Sequence, residues 1–219
     1  MPINVESNIL FENREEASKR LIETLPISLL SQNETVVLGV TENGVYLANE
    51  IAKAIGGKLD ILLTEPITAP NNRKLAIAMV SETEDVVIHK ALINSFGINE
   101  DYVYNEANRK YEEEVLTYVY KYRKGKEITN LNGKYVILVA DAIETGLTMM
   151  TALKSVIASE AKNIYIAVPI IDKLIYQHLL TVCDGVFCTH IVEDYISIEY
   201  YYKEIEPFGF DDIVSTLHI

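Results

Sequence analysis

One segment in the second half of the chain combines residues whose chemistry suits a phosphorylated sugar. The apolar run Tyr135–Val139 predicts a buried strand, and Asp141 follows at its carboxyl end. Thr145, Gly146 and Thr148 then open a predicted helix, whose first amides carry partial positive charge and favour an anion. Gly146 lets the backbone approach a phosphate closely, and the threonine hydroxyls add donors. Asp141 lies to one side, where its carboxylate can accept hydrogen bonds from sugar hydroxyls.

A second strand-to-helix loop, residues 39–44, has glycines at the spacing of a nucleotide-binding P-loop. A P-loop needs Lys and then Ser or Thr after its second glycine, and Val45 and Tyr46 stand there instead. The sequence therefore excludes a P-loop, and it contains no GxGxxG dinucleotide fingerprint. Taken alone, the loop is typical of an ordinary turn that uses Gly44 for an unusual backbone angle.

The elements that must position these two loops alternate between strand and helix. Asn13 and Glu16 predict a capped amphipathic helix near the start of the chain. Apolar, β-branched runs predict strands at 35–40, 59–63, 135–139, 164–169 and 186–189, and helical spacing predicts helices at 44–55, 147–159 and 173–182. This alternation indicates an α/β fold, a mostly parallel sheet with helices on both faces, whose ligands bind at the carboxyl ends of strands.

The middle of the chain has a different pattern. Two shorter apolar runs, 75–80 and 85–90, predict an antiparallel hairpin outside the main sheet. Residues 99–122 are highly charged, with an apolar stripe at helical spacing, which predicts a long solvated helix. Residues 124–132 form a polar connector to the next predicted strand.

Residues 136–148 resemble the 5-phosphoribosyl 1-pyrophosphate signature of type I phosphoribosyltransferases, in which an apolar strand and acidic residues precede Thr-Gly-x-Thr. Further segments are similar in order and spacing to a bacterial branch of that family, over nearly the whole chain. They are 11–17, 67–77, 122–125 and 201–202. The resemblance implies a type I phosphoribosyltransferase fold in a single domain over 1–219, with a hood and cover region over about 81–125 that would hold the second substrate.

The resemblance also assigns a role to each matching position. Asp141 would bind the ribose hydroxyls as positive charge develops at the anomeric carbon, and it is the candidate ligand for Mg²⁺, the implied cofactor. The 5-phosphate would be held mainly through backbone amides, by Glu144, Thr145, Gly146, Leu147 and Thr148. The pyrophosphate loop would be Thr41, Glu42, Asn43 and Gly44.

Three positions depart from the family pattern near the expected pyrophosphate. Ala140 replaces the first of two paired acids, Glu42 lies in a loop that usually reads Pro-Arg-Gly-Gly, and Glu65 stands where the family has a basic pair. Arginine binds pyrophosphate bidentately, so a carboxylate there reverses the charge, at about 1 kcal/mol or more for each like-charge contact. Alternatively, Glu42 and Glu65 are solvent-facing loop residues.

Two functions are consistent with these residues. The first is transfer of phosphoribose from 5-phosphoribosyl 1-pyrophosphate to an unidentified base, supported by Asp141 and the Thr-Gly-x-Thr segment. The alternative is a non-catalytic nucleotide or sugar-phosphate binding or regulatory module that has kept the monophosphate cradle and lost the pyrophosphate site. In both cases the partner is a phosphorylated sugar or nucleotide.

Composition excludes several other classes of protein. The 19 basic and 32 acidic residues give a formal net charge of −13, which disfavours nucleic acid and anionic membrane surfaces. No apolar stretch is long enough to span a membrane, and the first residues show no secretory signal pattern, so we expect a cytoplasmic protein.

Cysteine and tyrosine usage gives two weaker indications. Cys183 and Cys188 are too few for a disulfide framework, and a buried thiol beside a strand-end His190 is a better interpretation than a metal site. The chain has 14 tyrosines and no tryptophan, with a cluster over 195–202. These rings either pack on the core or form a homodimer contact, and a structural or interaction protein that uses such tyrosine-rich surfaces is a third possible function.

Overall fold

The computed structural model describes residues 9–206 and 208–217, and the first eight residues, on which the signal-peptide argument depends, lie outside it. Within this part of the chain there are eight strands. They are β1 (Thr35–Gly39), β2 (Lys58–Ile61), β3 (Thr64–Ala69), β4 (Asn72–Ser81), β5 (Val86–Ile88), β6 (Tyr135–Val139), β7 (Asn163–Asp172) and β8 (Gly185–Val192).

The described residues also form ten α-helices and one π-helical turn, Tyr111–Val115. The helices are α1 (Arg14–Thr24), α2 (Ile27–Ser31), α3 (Glu42–Ile55), α4 (Lys90–Ser95), α5 (Glu100–Lys110), α6 (Leu116–Arg123), α7 (Leu147–Ala158), α8 (Lys173–Leu179), α9 (Ile198–Tyr201) and α10 (Phe210–Leu217). The Asn13 side chain caps α1 by accepting a hydrogen bond from the Glu16 amide, as the sequence predicts.

Five parallel strands form the main sheet, in the order β2-β1-β6-β7-β8. Alternation along β1 sends side chains to two cores: Val36 packs with α7 and α8 on one face, and Val37 packs with α1, α2 and α3 on the other. The predicted α/β sheet with helices on both faces is therefore confirmed. β1 and β6 are neighbours, with Gly39 paired to Val139, so their carboxyl ends lie side by side.

A smaller antiparallel sheet, β3-β4-β5, packs under α4, α5 and the π-helical turn. We call residues 64–123 the small layer. The predicted hairpin corresponds to β4 and β5, but no sequence pattern indicated β3, which places Glu65 and Pro66 in a strand. Pro66 is tolerated because β3 is an edge strand, where a missing amide donor costs no ladder bond on the open side. The long charged segment is helical as predicted, with the π-helical turn as an unpredicted interruption.

Arg123, at the end of α6, ties the small layer to the main sheet. It is 3% exposed and donates to Glu82, whose other carboxylate oxygen accepts from the Leu63 amide at 2.8 Å. Arg123 Nη1 also lies 3.7 Å from Asp60 Oδ1. Arg123 is thus held in a buried ion-pair network between layers, and we assign it no part in ligand binding.

Candidate functional site

Two strand-to-helix junctions meet at the carboxyl edge of the main sheet. The first runs from β1 into α3 and contains Thr41, and the second runs from β6 into α7 and contains Asp141. Because β1 and β6 are paired neighbours, the Thr41 hydroxyl donates to Asp141 Oδ1 at 3.0 Å across the two junctions. The structure therefore brings together the two loops that the sequence singled out 100 positions apart.

The loop between β6 and α7 is fixed by backbone pairing with the end of β7. The Ile143 amide donates to the Ile170 carbonyl at 3.0 Å, and the Asp172 amide donates back to the Ile143 carbonyl at 3.0 Å. Gly146 then starts α7 with φ +73°, a left-handed conformation in which a Cβ would lie 2.9 Å from Ile175 Cγ2. Both the backbone angle and the close contact with α8 require glycine here.

The N-terminus of α7 has no side-chain cap among the described residues. Its N-cap is Gly146, and the Leu147 amide lies 3.5 Å from Thr145 Oγ1, at the limit of a hydrogen bond. First-turn amides of a helix have no intrahelical acceptor, so these donors are available to an anion.

A cavity of about 270 Å³ opens over this N-terminus, and we call it the phosphate-loop cavity. All the predicted phosphate-binding residues line it, together with Asp141 and Thr41: Glu144, Thr145, Gly146, Leu147 and Thr148. Asp141 is 9% exposed, whereas Glu144 and Thr145 are exposed at the rim. No lysine or arginine stands among the described residues that line it.

Most of the predicted pyrophosphate loop, residues 41–44, is the first turn of helix α3 and not a loop before it. Helix α3 begins at Glu42, two residues before the predicted start at Gly44, because the Thr41 side chain caps it by accepting from the Gly44 amide at 2.9 Å. The idea that Gly44 adopts an unusual backbone angle is wrong, since its φ is not positive. Glycine is required because a Cβ would lie 2.6 Å from the Val139 carbonyl oxygen.

Asn43 is also occupied by contacts within the chain. Its Oδ1 accepts from Arg14 Nη2 at 3.1 Å and from the Phe208 amide at 3.1 Å. Arg14, the first residue of α1, also donates to the Glu206 carbonyl at 2.7 Å. Thr41 and Asn43 therefore use their side chains to hold the start of α3.

Glu42 and Glu65 line one further cavity, of about 300 Å³, with Tyr118 and Tyr122. Tyr122 donates its hydroxyl to Glu42 Oε1 at 2.6 Å. Burial, and then Glu114, raises the pKa of the Glu65 carboxyl, which is 13% exposed. Both acids line this concave site, but neither lies in a loop: Glu65 is in strand β3, and Glu42 is in the first turn of α3, where it is exposed to solvent.

Ala140 stands at the position of the first of the family's paired acids. Its side chain is 2% exposed, packs in the core between the main sheet and α7, and also lines the phosphate-loop cavity. Of the two paired positions, only Asp141 therefore brings a carboxylate to the cavity.

The sequence did not indicate that Tyr195, between β8 and α9, and Ile198, the first residue of α9, line the phosphate-loop cavity. Burial, then Asp141 and Glu144, raises the pKa of the Tyr195 hydroxyl. The tyrosine cluster was the only signal for this wall. Tyr201 and Tyr202 are buried with Phe11, so they belong to the core; the homodimer itself stays a prediction.

Other sequence indications resolve simply within the described residues. No group of three His, Cys, Asp or Glu side chains could hold a metal ion, and Cys183 and Cys188 are free. His190 Nε2 lies 2.8 Å from Arg20 Nη2. No helix in this part of the chain has the length and apolar character needed to cross a membrane.

The model of the phosphoribosyl transferase domain family matches residues 7–200, and the chain belongs to this family. A curated relative in Mycobacterium tuberculosis strain H37Rv, named "Putative phosphoribosyl transferase Rv0571c", is 27% identical over 209 residues. The protein named MT0597 in strain CDC 1551 gives the same match. The alignment covers 95% of this chain and 46% of the relative, so the chain spans about half the length of the curated relatives it matches.

Among solved structures, the protein TT1426 from Thermus thermophilus superposes with a TM-score of 0.78 at 27% identity. The match covers 95% of this chain and 98% of that one. The predicted family and the type I phosphoribosyltransferase fold are confirmed by these similarities.

Proposed function

We propose that this chain binds a 5-phosphorylated ribose, as a sugar phosphate or nucleotide, with its phosphate on the α7 N-terminus. One observation carries the proposal: the uncapped first turn of α7 opens on a cavity that Asp141 also lines. The amides and the hydroxyls of Thr145 and Thr148 would hold the phosphate. Asp141 would accept hydrogen bonds from ribose hydroxyls, with Thr41 fixing one of its oxygens.

The charges of the site favour a monophosphate over a pyrophosphate. The phosphate-loop cavity has neutral donors and two carboxylates, Asp141 and Glu144, and no lining lysine or arginine among the described residues. On its other side lie Glu42 and Glu65, where a pyrophosphate would meet like charge. One phosphate can be held by a helix N-terminus alone, whereas two adjacent phosphates need cations.

Mg²⁺ fits this site only together with the ligand. Mg²⁺ at phosphate sites takes one or two protein carboxylates, substrate oxygens and water. Asp141 would supply one carboxylate, and the described residues offer no cluster of three ligands around it. The ion would neutralise charge on a bound phosphate ester.

Calorimetric titration tests the proposal with three ligands: ribose 5-phosphate, ribose and 5-phosphoribosyl 1-pyrophosphate, each with and without MgCl₂. We expect binding of ribose 5-phosphate, none of ribose, and at most about a threefold gain from the added pyrophosphate, since no cation awaits it. Absence of ribose 5-phosphate binding would contradict the proposal. A strong, Mg²⁺-dependent preference for the pyrophosphorylated sugar would contradict the loss of the pyrophosphate site.

Transfer of phosphoribose is the second candidate, and the position of Asp141 favours it. The carboxylate is nearly buried and held at the sugar end of the cavity by Thr41, where it can face positive charge that develops at the anomeric carbon. In that reaction the bond from the anomeric carbon to pyrophosphate breaks and a bond to a base nitrogen forms. Base-dependent pyrophosphate release that Asp141→Asn abolishes would establish it; silence with every nucleobase would reject it.

A further inference from the structure

The cavity that holds Glu42 and Glu65 has a composition unlike that of the phosphate-loop cavity. We call it the acidic cavity: about 300 Å³, with Glu42 from α3, Glu65 from β3 and the rings of Tyr118 and Tyr122 from α6. The two cavities share Val40 and Thr41 as a common wall. Its volume is at the lower end of the range of small-molecule pockets, about 300–1,000 Å³.

The two carboxylates of the acidic cavity are poorly compensated. Glu42 accepts from the Tyr122 hydroxyl and has no ion-pair partner among the described residues. The Glu65 carboxylate lies 3.8 Å from Lys110 Nζ, but that ammonium group is closer to Glu114, at 2.6 Å. The cavity therefore offers negative charge to an entering group.

The rings of Tyr118 and Tyr122 add a second attraction for a positively charged group. Tyr118 and Tyr122 lie one helical turn apart with ring centres 6.2 Å apart and planes inclined by 27°. Lys121 Nζ already stands 5.5 Å from the centre of the Tyr118 ring, outside the acidic cavity. Burial raises the pKa of the Tyr118 hydroxyl, the negative charges of Glu65, Glu114 and Glu42 raise it further, and Lys110 lowers it.

The charged groups around Tyr118 and Glu65 indicate the net charge of a ligand that would fit the acidic cavity. Three carboxylates, of Glu42, Glu65 and Glu114, stand against the two ammonium groups of Lys110 and Lys121. One negative charge is in excess, which matches a monocation. The described residues offer no group of three His, Cys, Asp or Glu ligands for a metal ion, whereas aromatic faces beside carboxylates are typical surroundings of an organic cation.

We propose that the acidic cavity binds an organic monocation, an amidinium or ammonium group carried on a small ring. The carboxylates of Glu42 and Glu65 would accept its N–H donors, and Tyr118 would face its charge. This inference goes beyond binding of a phosphorylated ribose, because Glu42, Glu65 and the two tyrosines do not line the phosphate-loop cavity and the test uses no phosphate.

The test uses benzamidinium as the probe and benzamide as its neutral isostere, titrated into the protein by calorimetry and by ligand-observed NMR. The two compounds have nearly the same shape, so a difference in affinity reports the charge. We expect benzamidinium to bind at least tenfold more tightly than benzamide, and the preference to shrink as NaCl is raised. Equal affinity for the two would overturn the proposal.

Variants place the probe. Glu42→Gln should weaken benzamidinium binding about fivefold or more, and Tyr118→Leu should do so by a similar factor, while Lys121→Gln should tighten it two- to threefold. Glu112→Gln, an equal charge change at an exposed position of the π-helical turn, is the matched control and should leave the affinity unchanged.

Three results would reject the site. The first is an unchanged affinity for benzamidinium in both Glu42→Gln and Tyr118→Leu. The second is a loss of affinity in Glu112→Gln as large as that in Glu42→Gln. The third is displacement of the probe by MgCl₂ when NaCl at the same ionic strength does not displace it. Melting curves confirm that each variant folds, and ribose 5-phosphate titration of the same variants keeps the two proposals separate, since neither Glu42 nor Tyr118 lines the phosphate-loop cavity.

Discussion

The junction from β1 to α3 and the junction from β6 to α7 stand side by side at one edge of the sheet, yet their helix N-termini differ. At α3 the Thr41 hydroxyl accepts from the Gly44 amide, and Asn43 is tied to Arg14. At α7 the N-cap is Gly146, which has no side chain to offer. The first helix caps one of its first-turn amides with a side chain of its own junction, and the second has no such cap and opens on a cavity.

Under the proposed function, this difference would let one sheet edge hold a phosphate at one junction and repel it at the next. Amides that are already capped contribute little to a ligand, and Glu42 adds a negative charge in the first turn of α3. At α7 the corresponding amides remain free for an anion. Five predictions test this contrast, from the largest expected effect to the smallest.

Gly146→Ala should have the largest effect, because the new Cβ would clash with Ile175 and force a left-handed residue. We expect the free energy of unfolding to fall by about 2 kcal/mol, and ribose 5-phosphate binding to weaken at least tenfold. Gly133→Ala is the matched control, because Gly133 has φ +69° and a Cβ there would meet no atom within 4 Å beyond its chain neighbours. It should lose about 1 kcal/mol of stability and keep the affinity. Equal loss of binding in both variants would contradict the assigned role of the α7 loop.

Asp141→Asn separates the sugar from the phosphate. We expect the affinity for ribose 5-phosphate to fall about fivefold, since a charged acceptor is worth about 1 kcal/mol more than a neutral one. The affinity for inorganic phosphate should stay constant or rise, because a nearby negative charge is removed. Asp101→Asn, at an exposed position in α5, is the control. A parallel fall for both ligands would show that Asp141 supports the loop without contacting ribose.

Thr41→Val tests the capped junction. The variant loses the hydroxyl that caps α3, so the free energy of unfolding should fall by about 1 kcal/mol in denaturant titrations. Thr41→Ser keeps the hydroxyl and should recover most of this loss. Thr145→Val, the equivalent change at the uncapped junction, should alter stability by less than about 0.5 kcal/mol. A larger loss from Thr145→Val than from Thr41→Val would reverse the contrast.

Glu65→Gln should stabilise the protein at neutral pH. The folded-state pKa of Glu65 lies above its ordinary value near 4.5, so the folded state binds this proton more tightly than the unfolded state. That contribution to stability is fully present below the unfolded pKa and is lost as the pH rises through the raised folded pKa. We expect Glu65→Gln to gain about 0.5–1 kcal/mol at pH 7 and nothing near pH 4.

Urea titrations of wild type and Glu65→Gln at several pH values measure this difference. Glu112→Gln, which changes an exposed acid, should follow the wild-type curve. A stability gain that is independent of pH would mean that Glu65 is not the titrating group.

Glu144→Gln should give the smallest effect. Glu144 is exposed at the rim of the phosphate-loop cavity, so solvent screens its repulsion of a bound phosphate. We expect a roughly twofold gain in ribose 5-phosphate affinity at low ionic strength, which vanishes in about 0.5 M NaCl. Weaker binding would instead indicate that the Glu144 carboxylate contacts the ligand or its counter-ion.

The junction between β6 and α7 could be derived from the sequence because its determinants are local. The apolar run 135–139, Asp141 and the segment 144–148 lie within fourteen consecutive residues, and each acts through its own backbone. The main sheet followed from apolar runs and helical spacing for the same reason. The sequence did not predict β3, because Pro66 argues against a strand and this segment is a strand only as the edge partner of β4.

The acidic cavity could not be derived in this way. Tyr122 and Glu42 are 80 positions apart, and their hydrogen bond depends on how the small layer packs on the main sheet. Arg14 is likewise distant from Asn43 in sequence, and nothing in the segment 11–17 indicates that it would hold the start of α3.

The sequence by itself determined the family, the parallel sheet and a helix N-terminus suited to phosphate, since these depend on residue order and short-range periodicity. Which acids line a cavity, which helix end is capped and which tyrosine lines the phosphate-loop cavity depended on the three-dimensional structure. The physical reason is that side chains such as Glu42, Tyr118 and Tyr195 acquire their partners only when strand register and layer packing place distant segments within a few ångströms of each other.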